Sequence, residues 1–266
     1  MNVFLHELRT YRKSTIIWIV ALSGLILMFM SLYPAFTKDV AATREIFNGF
    51  PAALRAALNI SLANFFTIYG FYGYLLGFAI LTGAVQAMNL GTGIISKEVA
   101  GKTADFLLSK PITRARVVTA KLTAALAALV ITNIVFIAVS YFVALGVAED
   151  SFDTQTFLVM ASTLFLVQLM FLALGALVSV IIPKIKSVIA VSLPTVFGFY
   201  IIGMIGEALE NESFRYITPF KFYDITYMIE HAGLEGRYLA IEAAFVVVAT
   251  ALCYVIYLKK DVRASA

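Results

Sequence analysis

Charge is scarce in this chain. Asp, Glu, Lys and Arg make up 14% of its 266 residues, where a soluble domain carries about 25%, so a water-facing surface of this size could not be covered. Cysteine is scarcer still. Cys253 stands alone inside an apolar run, which excludes a disulfide framework and any Cys-x-x-Cys zinc or redox motif. Histidine is limited to His6 and His231, and neither a His-Glu-x-x-His nor a Gly-x-Ser-x-Gly pattern occurs. The net charge of +4 is modest, and the basic residues lie between apolar runs rather than on one face, so no nucleic-acid partner is expected. Gly101-Lys102-Thr103 ends like a phosphate-binding loop, but that motif needs a glycine five positions earlier, where Ser96 stands. No LSGGQ-type signature is present either. The chain is expected to carry no catalytic residue, metal or cofactor of its own.

Hydrophobicity is what the sequence has, at 61% of residues. Six runs reach the roughly 20 apolar residues that a membrane-crossing helix needs: 14–33, 64–95, 117–147, 154–182, 187–205 and 238–258. Pro34 and Pro183 read as stops after the first and fourth, and Pro194 as a break within the fifth. The second run is long enough to tilt or to extend past the bilayer. Arg9, Arg12 and Lys13 precede the first run, but that run is too long for a signal core and no small-residue cleavage site follows it, so it is expected to stay as an uncleaved helix. The fold class is therefore all-α membrane protein, one transmembrane domain over 1–266.

Orientation follows from Lys and Arg. Fourteen of the twenty basic residues fall in the amino-terminal segment, the second-to-third connection, the fourth-to-fifth connection and the tail, whereas twelve of the sixteen carboxylates fall on the other side. Both termini are expected to be cytoplasmic.

Several segments are not spans. Residues 1–13 place Phe4, Leu8 and Tyr11 on one helical face with Arg9 and Lys13 away from it, the pattern of a helix lying in the interface plane, either as an anchor for the first span or as a docking element. In 96–116, Phe106, Leu107 and Leu108 are three consecutive large apolar residues amid charges, Pro111 makes a corner, and Thr113 can cap the next helix. These features point to a partner-docking surface. The external stretch 206–237 is acidic yet holds Phe214, Tyr216, Phe220 and Phe222, so short helices are expected there, dipping into the outer leaflet or forming a small cap. The AALRAAL stretch between Pro51 and Asn59 reads as another short helix.

The spans are nearly free of ionisable residues, which usually mark ion or proton pathways. Glu242 lies near the outer end of the sixth, where an interfacial position is expected. Gln86, Asn89, Asn133 and Gln168 are candidates either to line a pathway or to hydrogen-bond a neighbouring helix. Gly73 and Gly77 form a Gly-x-x-x-Gly pair, a site where another helix can approach closely.

The loop EVAGKTADFLLSKPITRARVVTAK resembles that of the permease subunits of ABC-2 type ABC transporters, through Glu98, Gly101, Thr103, Leu107, Leu108, Ser109, Pro111, Ile112, Arg114 and Lys121. HELRTYRKS before a Trp18-containing span and ITPFKFYD before the last helix add to the likeness. The resemblance implies that 1–13 is an elbow helix and that 96–116 holds a coupling helix, with Glu98, Gly101, Thr103, Phe106, Leu107, Pro111 and Arg114 contacting a separate cytoplasmic ATPase that carries ATP and Mg. It implies a second copy, or a paralogous permease, around the pathway, in a plasma membrane. The function expected is export of a hydrophobic or amphipathic substrate, such as a peptide, antibiotic or lipid-like molecule. Phe71, Tyr72, Tyr74 and Phe78 lean towards such cargo, and are equally read as packing or lipid-facing residues. An ion exporter is the alternative within that family. Outside it stand a self-sufficient secondary transporter, which needs a buried Asp or Glu and repeated broken helices, and a membrane-embedded enzyme, which needs a reactive cluster at a membrane face.

Overall fold

The computed structural model describes residues 3–51, 54–55, 64–100, 113–148, 150–182 and 185–259, with the backbone alone at 95–100. No strand occurs among them. In a bilayer every backbone N–H and C=O must be satisfied within the chain, and the helix does this locally. The helices are α1 (Val3–Met30), α2 (Tyr33–Lys38), α3 (Val40–Asn48), α4 (Ile68–Ala100), α5 (Arg114–Val147), α6 (Thr154–Ile181), α7 (Val188–Ala208), α8 (Ile225–His231) and α9 (Gly236–Lys259). Two 3-10 turns, Glu212–Tyr216 and Pro219–Lys221, lie between α7 and α8. Among the described residues six helices (α1, α4, α5, α6, α7 and α9) are long and apolar enough to cross a membrane. At 33 and 34 residues, α4 and α5 are about 50 Å long, well beyond the roughly 30 Å of a hydrocarbon core.

The helix starts are written in short polar residues. Thr113 accepts from the backbone N–H of Arg116, Asp153 from Thr156, Ser187 from Ala190 and Asp224 from Tyr227, each satisfying an otherwise orphaned donor. Pro34 sits in the first turn of α2, where its missing N–H removes no bond.

Two sequence expectations change here. Residues 3–13 are not a separate interfacial piece: they continue without a break into the first span as α1, because no Gly or Pro occurs between Val3 and Ser23 to end the helix. Pro194 does not break its span either, and α7 runs through it. The Thr195 hydroxyl donates to Val191 O at 2.8 Å and the Ser192 hydroxyl to Val188 O at 3.0 Å, so neighbouring side chains engage carbonyls of the turn that the proline disturbs. The AALRAAL stretch lies mostly outside the described residues.

The interior has two main parts. Towards the end that carries the basic residues, Tyr11, Met88, Ile94, Val118, Leu129 and Phe171 pack together. Towards the acidic end, Leu22, Ile26, Phe71, Tyr72, Phe136 and Phe157 do so, with the rings of Tyr72 and Phe157 stacked at 4.3 Å. Helices α4 and α6 are the most buried, while α7 and α9 turn most of their surface outward. Large apolar side chains such as Ile17, Val20, Phe197, Ile201, Val247 and Val248 are exposed, as a lipid-facing surface requires.

The closest helix crossing is between α4 and α6. A Cβ on Gly91 would stand 2.4 Å from Leu172 O, and one on Gly175 would stand 2.8 Å from Met88 O. The Gly73/Gly77 pair is not that crossing. Gly73 faces the Ile225 side chain of α8, and Gly77 opens on empty space.

Candidate functional site

Three groups of polar residues stand out from the apolar bundle. The first lies in its middle. Asn133 Nδ2 donates to Gln168 Oε1 at 2.6 Å and to Leu129 O at 2.9 Å. Gln168 Nε2 donates to Gln86 Oε1 at 3.1 Å and Gly83 O at 3.3 Å, and Gln86 Nε2 donates to Thr132 Oγ1 at 3.0 Å. All four side chains are buried. The network ties α4, α5 and α6 together where an unpaired amide would be costly. Three of the four residues singled out from the sequence meet here. Asn89 makes none of these bonds, and its buried Oδ1, like the Oδ1 of Asn133, has no hydrogen-bond partner among the described residues. Of the aromatic residues on α4, Phe71 and Tyr72 are core residues and Phe78 faces outward.

The second group is at the basic end. Lys121 Nζ donates to Glu7 Oε1 at 2.7 Å, joining α5 to α1. Thr119 Oγ1 lies 2.8 Å from the Tyr254 hydroxyl, joining α5 to α9. Both α5 residues follow closely on Thr113, the cap after residues 101–112. Of the residues expected to contact an ATPase, Gly101, Thr103, Phe106, Leu107 and Pro111 lie outside the described residues. Glu98 is in the last turn of α4, of which the backbone alone is described, and Arg114 opens α5. The Lys121 pairing was missed in the sequence, although Lys121 is an ionisable residue inside the 117–147 run. Only the fold brings Glu7, 114 positions away, to meet it.

The third group is at the acidic end. Arg215 Nη2 donates to Glu235 Oε1 at 2.5 Å, its Nε donates to Lys221 O at 3.0 Å, and its guanidinium lies over the Tyr238 ring at 4.5 Å. Arg237 also bonds Glu235, at 2.9 Å. Burial raises the Glu235 pKa, but the hydrogen bonds from Arg215 and Arg237 outweigh it and hold the carboxyl below its ordinary range. A cavity of about 320 Å³ opens beside these residues, lined among others by Gly203, Glu207, Phe220, Lys221 and Tyr223, with Lys221 paired to Glu207 at 3.1 Å. Glu242 is buried within the protein, and its carboxylate accepts a hydrogen bond from the Tyr223 hydroxyl. Burial and then the Glu242 carboxyl push the Tyr223 hydroxyl above the ordinary tyrosine range, so it keeps its proton and donates.

Among the described residues no group of three or more His, Cys, Asp or Glu converges. Six apolar helices, amides bonded to one another inside them, and charges gathered at the two ends define a multi-pass membrane protein. The chain matches the family described as ABC-2 family transporter protein over residues 1–262, and it belongs to that family. No curated protein matches it.

Proposed function

We propose that this chain is the membrane-spanning subunit of an ATP-driven exporter of the ABC-2 type. The observation that carries this reading is the family match over residues 1–262. A separate ATPase, with ATP and Mg, sits at the basic end, which is the cytoplasmic end on the rule for Lys and Arg. It engages the connection between α4 and α5, with Glu98, Gly101, Thr103, Phe106, Leu107, Pro111 and Arg114 as the contact residues. Two copies enclose the pathway in the plasma membrane. ATP-driven closure of the ATPase pair moves the connection, and the packed helices pass that motion on by shifting between two arrangements.

The substrate class that suits this bundle is hydrophobic or amphipathic, since among the described residues its middle offers amides and no charged pair for an ion. Gln86, Asn133 and Gln168 hold α4, α5 and α6 in register within each copy, because their polar atoms are largely used on one another. A self-sufficient secondary transporter gains one feature from the fold, the buried Glu242, but loses another, since α7 is unbroken at Pro194.

Co-purification tests the reading. An ATPase should accompany the tagged chain, and ATP turnover should change when the chain is present. Phe106→Asp or Glu98→Ala should weaken that association in a well-inserted protein. Normal binding and coupling with both changes would remove the connection as the contact site, and a chain that retains no ATPase would remove the permease reading altogether.

A further inference from the structure

The helix that follows the 101–112 segment is fastened at its base. Thr113 caps α5, and within its first eight residues two side chains reach other helices: Thr119 to Tyr254 of α9, and Lys121 to Glu7 of α1. The Lys121–Glu7 pair is nearly closed to water, with the side chains 4% and 14% exposed. Around it α1 and α5 are joined by apolar packing, with Tyr11 and Val118 in one buried cluster.

Apolar packing alone lets two helices slip, because dispersion has no direction. An enclosed ion pair does not. A slip of one turn, about 5.4 Å, would part the Glu7 carboxylate from Lys121 and take from it the cation it meets in a medium of low dielectric. We propose that the Glu7–Lys121 pair is a strut that makes α1 move as one body with α5, so that displacement of the segment before α5 is carried into the first membrane helix. Glu7 and Lys121 are then positioning residues for the transport stroke. This inference rests on the permease reading above.

The test uses the full complex of this chain with its ATPase in lipid nanodiscs. A fluorophore on Leu5→Cys, at an exposed position of α1, reports the movement of α1 when a non-hydrolysable ATP analogue is added; Cys253 is buried. The native pair should give a clear change. The double variant Glu7→Leu/Lys121→Met replaces the ion pair by an apolar one, a change that buried pairs tolerate in folding. It should keep its ATPase but retain only about a tenth of the change or less, within the range of coupling energies between sites. The charge-swapped Glu7→Lys/Lys121→Glu should restore the change. A native-sized change in the apolar double variant overturns the strut, as does a swapped pair that stays at the apolar level. So does a native complex that binds its ATPase and the analogue with no change at Leu5. A native chain that retains no ATPase overturns the permease reading, and the strut falls with it.

Discussion

Gly91 and Gly175 mark the point where α4 and α6 touch backbone to backbone. A Cβ on Gly91 would lie 2.4 Å from Leu172 O and 2.8 Å from Ala176 N, and one on Gly175 would lie 2.8 Å from both Met88 O and Thr92 N. These are backbone atoms, which cannot swing aside. Gly91→Ala or Gly175→Ala should therefore force the two most buried helices apart, at about 1–3 kcal/mol, the scale of overpacking. Thermal unfolding in mild detergent would show the loss. Gly77→Ala is the control: nothing lies within reach of its Cβ, and the melting temperature of the single chain should not fall.

The amide network makes a second expectation. Gln168 takes part in three of its bonds, to Asn133, Gln86 and Gly83. Gln168→Leu should cost more than Asn133→Leu, which leaves the Gln168 to Gln86 and Gly83 bonds in place. Each change is expected to be about 1 kcal/mol, as for interhelical hydrogen bonds in membranes. The double variant should lose less than the sum of the two singles, since both act on one bonded pair. Strict additivity in an unfolding titration would mean that the residues do not act together.

At the acidic end, Tyr223 is the hydrogen-bond donor to the buried Glu242. Tyr223→Phe removes the donor and leaves a carboxyl enclosed without it, which should destabilise by about 1–3 kcal/mol. Adding Glu242→Leu removes the orphaned group and should recover much of that loss. If Tyr223→Phe left hydrogen exchange across 217–224 unchanged, the hook between this segment and α9 would carry no stability.

The Arg215–Glu235–Arg237 cluster should make the acidic end sensitive to acid. The Glu235 pKa is lowered in the fold, so its contribution is complete above the unfolded value, about 4.3, and is lost as pH falls through the lower folded value. Limited proteolysis of the 209–235 segment should stay constant from neutral pH down to that range and increase below it. Arg215→Ala, which also loses the bond to Lys221 O and the contact with Tyr238, should raise cleavage already at neutral pH.

The membrane class and the number of spans could be read from one-dimensional features, the runs of about 20 apolar residues, and the start of α5 from the cap Thr113. These properties are local, since a span must satisfy its own backbone and a cap reaches only three residues ahead. Tertiary structure alone decided the rest. It chose Gly91 and Gly175 over Gly73 and Gly77 for the helix crossing, because close approach depends on which helix lies opposite. It turned Gln86, Asn133 and Gln168 towards one another and brought Glu7 to Lys121 across 114 positions. It buried Glu242 by folding 217–224 over it. Which partner a polar side chain finds in a bundle depends on how helices distant in sequence are rotated and stacked, and hydropathy along the chain carries no record of that.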